Sequence, residues 1–347
     1  MKVIYVGPLY SGGTCLQRLV AMKELGHEVI PIDTEPQYIR IRQNKLLYRI
    51  LKRLIGVQDL SNSNKKICDL IQKRKFDIIW LDKALTITSK TINFVKNVNP
   101  STIVVGYSPD DMAGKHNQSN QFLKSLPFYH IYFTTKSYGI KELEFLGAKK
   151  AIFIGNAYDP HTHRPMKISF EDKKKYGGFV GFIGDYEEER AECLYYLASK
   201  GIPVRIWGHN WTQIKRLQHS NMMLENKPLW GDEYAKAICS FDINLGFLRK
   251  INRDLQTQRT IEIPACGAFM IMERTEEQLE LFVEGEEAVF FNTKEELLKK
   301  VSYYLINEKE RNEIARKGRE RCLKSGYSNH DRLKQMFAII KEINGKT

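Results

Sequence analysis

Short apolar runs rich in Val, Ile, Phe and Tyr alternate with helix-period segments along this 347-residue chain, and they do so in two consecutive series. Runs of this kind, bounded by turn residues, mark strands buried on both faces, which parallel sheets with helices on either side provide. The first series places strands near Val3–Val6, Val29–Asp33, Ile78–Leu81, Ile103–Tyr107, Ile131–Thr134 and Ile152–Gly155. The second places them near Phe179–Ile183, Val204–Gly208, Met222–Leu224, Ile243–Phe247, Phe269–Met272 and Val289–Phe291. Strands separated by helical patterns form βα units, so the expectation is two α/β domains with parallel sheets, not a sandwich or a bundle. The length suffices for two separate cores.

The turn Gly155-Asn156-Ala157-Tyr158-Asp159-Pro160 and the polar, Lys-rich stretch after it read as the junction. The expected division is 1–158 for the first domain, 159–176 for a linker, 177–327 for the second domain and 328–347 for a C-terminal helix. Ser328-x-x-Asp331 can cap that helix, and Leu333, Met336, Phe337, Ile340 and Ile343 form one stripe that must pack on something.

A net charge of +13 points to anionic partners. Between Gln37 and Phe76 the only acids are Asp59 and Asp69. Lys45, Arg49 and Lys52 fall on a different helical face from Leu47, Ile50, Leu51 and Leu54, so residues 40–55 read as a basic amphipathic helix. Such a face is either simply solvated or in contact with an anionic acceptor or membrane surface. No apolar run approaches the roughly 20 residues that cross a bilayer, and the N-terminus reads into a strand, not a signal peptide. The six cysteines stand singly, without metal-ligand spacing, as reduced thiols do. A cytoplasmic protein, possible as a peripheral one on the inner membrane face, is the expectation.

Two stretches can carry chemistry. The first βα turn, Gly7 to Thr14, holds Gly12 and Gly13, which let backbone approach a ligand, ahead of a helix start that offers N–H groups to an anion. It is not the G-x-G-x-x-G of dinucleotide sites, and a plain structural turn stays open. The second runs Asp254-Leu255-Gln256-Thr257-Gln258-Arg259-Thr260-Ile261-Glu262 between a strand and a helix. Arg259 can donate two bonds to a phosphate, and Glu262 can accept from adjacent ribose hydroxyls. The two are three apart, so a simple pairing on a helix surface is the alternative. His161-x-His163 beside Pro160 and Pro165 reads as incidental, and no metal is expected.

The sequence resembles the GT-B glycosyltransferases in Ser11-Gly12-Gly13 with Glu24-Leu25-Gly26-His27-Glu28-Val29, and in Glu262-Ile263-Pro264-Ala265-Cys266-Gly267. The second half resembles in particular the CgeB-like family, named after a spore-maturation protein. The resemblance rests on Gly181-Phe182-Ile183-Gly184, Trp207-Gly208-His209-Asn210-Trp211, Asp242-Ile243-Asn244-Leu245, Thr257 to Glu262 and Phe282 to Glu287. Asp254 and Glu262 also have the spacing of the two acidic donor contacts in similar retaining, group 1 enzymes.

The resemblance implies two Rossmann-like domains facing across a cleft, with the last helix crossing back to the first. It implies transfer of a sugar, as in hexosyltransferases, from a nucleotide-diphosphate donor to a glycan, lipid-linked or protein acceptor of the cell envelope or spore. The nucleotide sugar is then a co-substrate and no cofactor is needed. Carried over, Glu262 takes the ribose and Asp254 the transferred sugar, while Arg259 with the amides of Leu255, Gln256 and Thr257 takes the diphosphate. Arg190 is a second phosphate ligand, Gly184 after the first strand of the donor domain also meets the nucleotide, and Trp230-Gly231-Asp232 meets the base. Gly12 and Gly13 meet the sugar or acceptor. Asp254 stands where Glu is usual and Leu-Gln-Thr replaces a glycine-rich segment, which leaves the donor sugar open.

An inverting enzyme would need a base, for which Asp110, Asp111 and His116 are candidates beside a loop-capping role. A sugar-nucleotide epimerase could share the architecture. A nucleic-acid-binding protein would need stacking aromatics among the lysines, and Arg40 to Arg53 offers only Tyr48, so no nucleic acid is expected. A non-catalytic surface-binding protein is the remaining alternative.

Overall fold

The computed structural model describes residues 1–43, 56–214 and 217–344; the basic stretch at 40–55 falls, from residue 44 on, outside them. All twelve expected strands form: β1 (Lys2–Gly7), β2 (Glu28–Asp33), β3 (Ile78–Asp82), β4 (Ile103–Ser108), β5 (Ile131–Thr134), β6 (Ala151–Phe153), β7 (Gly178–Ile183), β8 (Val204–Trp207), β9 (Met222–Leu224), β10 (Phe241–Gly246), β11 (Met270–Glu273) and β12 (Val289–Phe291). They make two six-stranded sheets, ordered β2-β1-β3-β4-β5-β6 and β12-β11-β10-β7-β8-β9. Every pairing is parallel. Among the described residues, no helix is long and apolar enough to cross a membrane.

The chain divides into two units, Met1–Gly155 with the C-terminal helix, and Asn156–Ser328. That helix, Asn329–Asn344, belongs to the first unit because its stripe finds an apolar face there. Leu333, Met336, Phe337 and Ile340 are buried with Val3, Tyr5 and Trp80, and His330 lies 2.7 Å from Glu24. Residues 159–176 pack on the second unit. Their helix, Phe170–Tyr176, opens on a Ser169/Asp172 capping box, and Tyr176 donates to Glu233 at 2.5 Å. Trp207 and Trp211 are core residues, 1% and 0% exposed.

Partial burial of the His130 ring makes the first unit acid-sensitive. The Val104 amide donates to His130 Nδ1 at 2.8 Å, and burial, aided by Lys96 and Lys149, pulls the ring's pKa down to about 4. A folded value below the ordinary 6.5 leaves stability intact above pH 6.5 and removes it as pH falls toward 4, because the unfolded chain binds the proton first. The expected loss is about 2 kcal/mol after screening. Urea unfolding of wild type and H130Q at pH 7 and pH 4.5 checks it: the pH dependence should flatten in the variant.

Candidate functional site

Doubly wound sheets bind ligands beyond the carboxyl ends of the strands where the order reverses, since loops there diverge to opposite faces and leave a crevice. In the second sheet the reversal lies between β7 and β10. Gly184 and Asp185 follow β7, and residues 247–257 follow β10 before the Gln258–Ala265 helix. The stretch singled out from the sequence therefore borders the crevice.

Three arginines gather there. Arg190, in the first turn of the Glu188–Ser199 helix, is 8% exposed and donates Nη1 to the Asp185 carbonyl at 3.1 Å. Its Nη2 lies 3.5 Å from Glu187, to which Arg249 Nε donates at 3.1 Å. Buried Nε of Arg190 has no hydrogen-bond partner, and a buried donor left so is costly. Burial pulls the Arg190 pKa down, and the charges of Arg249 and Arg259 push the same way. Concentrated positive charge with an unused donor suits an anion carrying several oxygens. Arg259 is one-third exposed. Burial works against its charge, but Tyr234, Glu262 and Asp185 hold its pKa above the ordinary value.

Glu262 faces inward from the second turn of the same helix and is 4% exposed. Tyr234 donates its hydroxyl to one carboxylate oxygen at 2.6 Å, and Arg259 Nη1 lies 3.5 Å from that oxygen. His163 Nε2 lies 3.5 Å from the other. The Asp159 amide donates to His163 Nδ1 at 2.9 Å, which leaves the proton of the neutral ring on Nε2, facing Glu262. Burial, with Arg259, keeps the His163 pKa low against the pull of Glu262 and Asp159. Burial and the Glu262 carboxylate raise that of Tyr234 against Arg259. A carboxylate has about four lone-pair sites, so each oxygen keeps an accepting direction.

The preceding loop is held from below. Gln256, 3% exposed, accepts from the Asn156 amide (3.3 Å) and side chain (3.0 Å) and donates to Glu277 at 3.0 Å. Its side chain is a brace. The Leu255 carbonyl accepts from Thr275 at 2.5 Å. The Thr257 amide donates to Thr260 Oγ1 at 3.1 Å, so it corrects the expectation of three amides open to a diphosphate. Unpaired amides belong instead to the helix's own first turn. Asp254 stands partly exposed ahead of it, its amide on the Arg249 carbonyl at 3.3 Å. Gly184 packs closely: a Cβ there would lie 2.5 Å from the Phe182 ring, and one on Gly208 would lie 1.9 Å from the Gly184 carbonyl oxygen. Gly231 has φ +54° and opens the Gly231–Ser240 helix beside half-exposed Trp230.

The remaining expected residues lie in the first unit, where the order reverses between β1 and β3. Gly12 has φ +78°, and Gly13 caps the Thr14–Glu24 helix, its amide on the Tyr10 carbonyl at 3.0 Å. Beneath them Arg18 grips Asp82 through Nε (2.7 Å) and Nη2 (2.9 Å), with both side chains under 5% exposed. Tyr5 and Cys15 also donate to Asp82, and Arg18 lies 4.4 Å over the Tyr107 ring. Asp110 pairs with Lys83. Asp111, 1% exposed, accepts from the Ala113 and Gly114 amides at 3.2 Å and so caps its own loop.

Sequence reasoning missed His163, Tyr234 and the Arg18–Asp82 pair. His163 sits in a polar, Pro-flanked stretch that gives no sign of burial, and Tyr234 meets Glu262 only through the fold.

Residues 190–338 match the family model described as glycosyl transferase-like. No curated protein matches the chain in sequence. Among solved structures, Anabaena Alr3699/HepE in complex with UDP and glucose is similar at TM-score 0.64 and 12% identity, over 99% of this chain and 100% of that one. Sucrose-phosphate synthase from Thermosynechococcus elongatus is similar at TM-score 0.66 and 10% identity, over all of both chains. A putative UDP-N-acetylglucosamine 2-epimerase from Listeria monocytogenes reaches 0.55 at 13% identity, over 100% of this chain and 97% of that one. With its two parallel six-stranded sheets and this likeness in structure, the chain has the two-domain α/β architecture of the GT-B fold.

Proposed function

We propose that the chain is a glycosyltransferase that takes a sugar from a nucleotide-diphosphate donor and passes it to a hydroxyl of a glycan, lipid-linked or protein acceptor. The observation that carries this is Glu262, a buried carboxylate oriented by Tyr234 and His163 one turn from Arg259, at the crevice where Arg190 and Arg249 gather. The ribose hydroxyls donate to the remaining lone pairs of Glu262. The diphosphate lies on Arg259, Arg190 and the first-turn amides, where growing negative charge on the leaving group meets charge already in place. Asp254 contacts the sugar. The UDP named in the HepE complex supports a uridine donor.

Retention follows if the acceptor attacks on the face that the nucleotide leaves, with a phosphate oxygen taking its proton. That route needs no protein base, in keeping with Asp111 as a loop cap and Asp110 as a partner of Lys83. Metal ions are not needed where arginines carry the compensating charge.

A thermal-shift panel of UDP, GDP, dTDP and ADP sugars tests the reading, since a specific ligand at about 100 times its Kd stabilises by roughly 2.7 kcal/mol. A flat panel overturns it, and a donor that binds and is converted without any acceptor points to the epimerase. Within the reading, E262Q should weaken UDP by about tenfold, the loss of charge assistance on the ribose contacts. Calorimetry with 2′,3′-dideoxy-UDP, which lacks those hydroxyls, should show no such difference between the variant and wild type.

A further inference from the structure

The second sheet has another recess, at the amino ends of its strands, opposite the crevice. The starts of β7 and β8, the edge strand β9 and the Phe170–Tyr176 helix enclose a groove of about 930 Å3. Its walls are largely apolar, with Ile168, Val180, Pro203 and Val204 inside. Phe170, Phe179 and Met223 line it while 81%, 59% and 55% exposed. Three large apolar side chains left in water around one recess are more than the scattered exposure of ordinary surfaces. The volume falls in the range of small-ligand pockets.

Charge narrows the occupant. Lys173, Lys174 and Arg205 line the groove against one carboxylate, Asp242. Lys173 is held by Asp242 at 3.0 Å and Arg205 by Glu225 at 2.6 Å, whereas no ion pair among the described residues takes exposed Lys174. A peptide in the groove would have only the free edge of β9 for its backbone polar groups. A hydrocarbon chain has none to satisfy. We propose that the groove binds the chain of an anionic lipid, with the chain along Phe179 and Val204 and the head group at Lys174. This would tether the second unit to its lipid from the end of the sheet away from the donor crevice, whatever the reaction there.

Cys239 provides the readout, because it lines the groove. Its thiol donates to the Cys266 carbonyl at 3.5 Å and the Arg164 carbonyl at 3.8 Å, while the adjacent Cys266 thiol, with the Met166 amide and Arg319, lowers its pKa against burial. A lowered pKa favours the reactive thiolate. The experiment follows N-ethylmaleimide labelling of Cys239 by mass spectrometry at monomeric concentrations of dodecyl phosphate. At about ten times its Kd, the amphiphile should slow labelling roughly tenfold by occupancy. Apparent affinity should rise by about fourfold per methylene from octyl to dodecyl phosphate, as burial of each CH2 requires. Inorganic phosphate should not protect. F179D should abolish protection, and K174E should remove the preference over dodecyltrimethylammonium; both residues are exposed, and an unchanged urea-unfolding midpoint confirms each fold. Absence of protection, independence of chain length, or equal protection by the cationic amphiphile in wild type would overturn the proposal.

Discussion

Replacing Arg259 by Ala is expected to weaken nucleoside-diphosphate binding by roughly a hundredfold while leaving the fold intact. Two charge-assisted bonds to a phosphate are worth about 3 kcal/mol together, and one-third of the side chain is exposed, so truncation opens no core cavity. The ion pair with Glu262 spans 3.5 Å and adds little, since Tyr234 and His163 orient Glu262 independently. Calorimetric titration of UDP and uridine separates the roles: R259A should lose affinity for UDP and change little toward uridine. Equal losses for both would mean that Arg259 acts on the nucleoside or on the shape of the site.

The second large effect concerns stability. D82A should destabilise the first unit by about 3–5 kcal/mol, because it strands the buried Arg18 guanidinium without a countercharge. At this domain size the melting temperature should fall by roughly 10 °C. Burial alone would lower the Arg18 pKa, yet Asp82, with Tyr107, Tyr5 and Cys15, holds it well above normal. The double variant R18M/D82L should recover most of the loss, since apolar replacement of both members removes the stranded charge. Tyr5, relieved of Asp82, would turn its one hydroxyl proton to the Cys15 carbonyl 2.8 Å away. Urea unfolding of the three proteins checks the order. A double variant no more stable than D82A would show that the pair itself stabilises the fold.

The pair also fixes how Gly12 and Gly13 are presented. Arg18 and Cys15 lie in the helix that follows these glycines and Asp82 ends β3, so the contact ties the first βα loop to the neighbouring strand. No spacing rule reveals it: Arg18 looks like one more surface cation, and Asp82 like a polar strand end. The strands were legible because parallel strands buried on both faces must be apolar along their length, as with Val3 to Val6 and Val104 to Tyr107. The C-terminal helix was legible as a stripe, but its partner was not, since periodicity says which face is buried and not where. At the candidate site, Arg259 and Glu262 were legible because a strand, a loop and a helix start have local signatures. Their support was not. Gln256 joins Asn156 to Glu277 across long sequence separations, and His163 reaches Glu262 from a stretch whose composition suggests solvent.

The proposed glycosyl transfer requires that residues 254–262 hold a nucleotide by its diphosphate and ribose, beside the reversal between β7 and β10. The most direct test is a crystal structure of the chain with a nucleoside diphosphate bound. The expected result is ribose hydroxyls within hydrogen-bond distance of Glu262 and phosphate oxygens on Arg259 and Arg190. A nucleotide seated elsewhere, with Glu262 still enclosed by Tyr234 and His163 alone, would contradict the account.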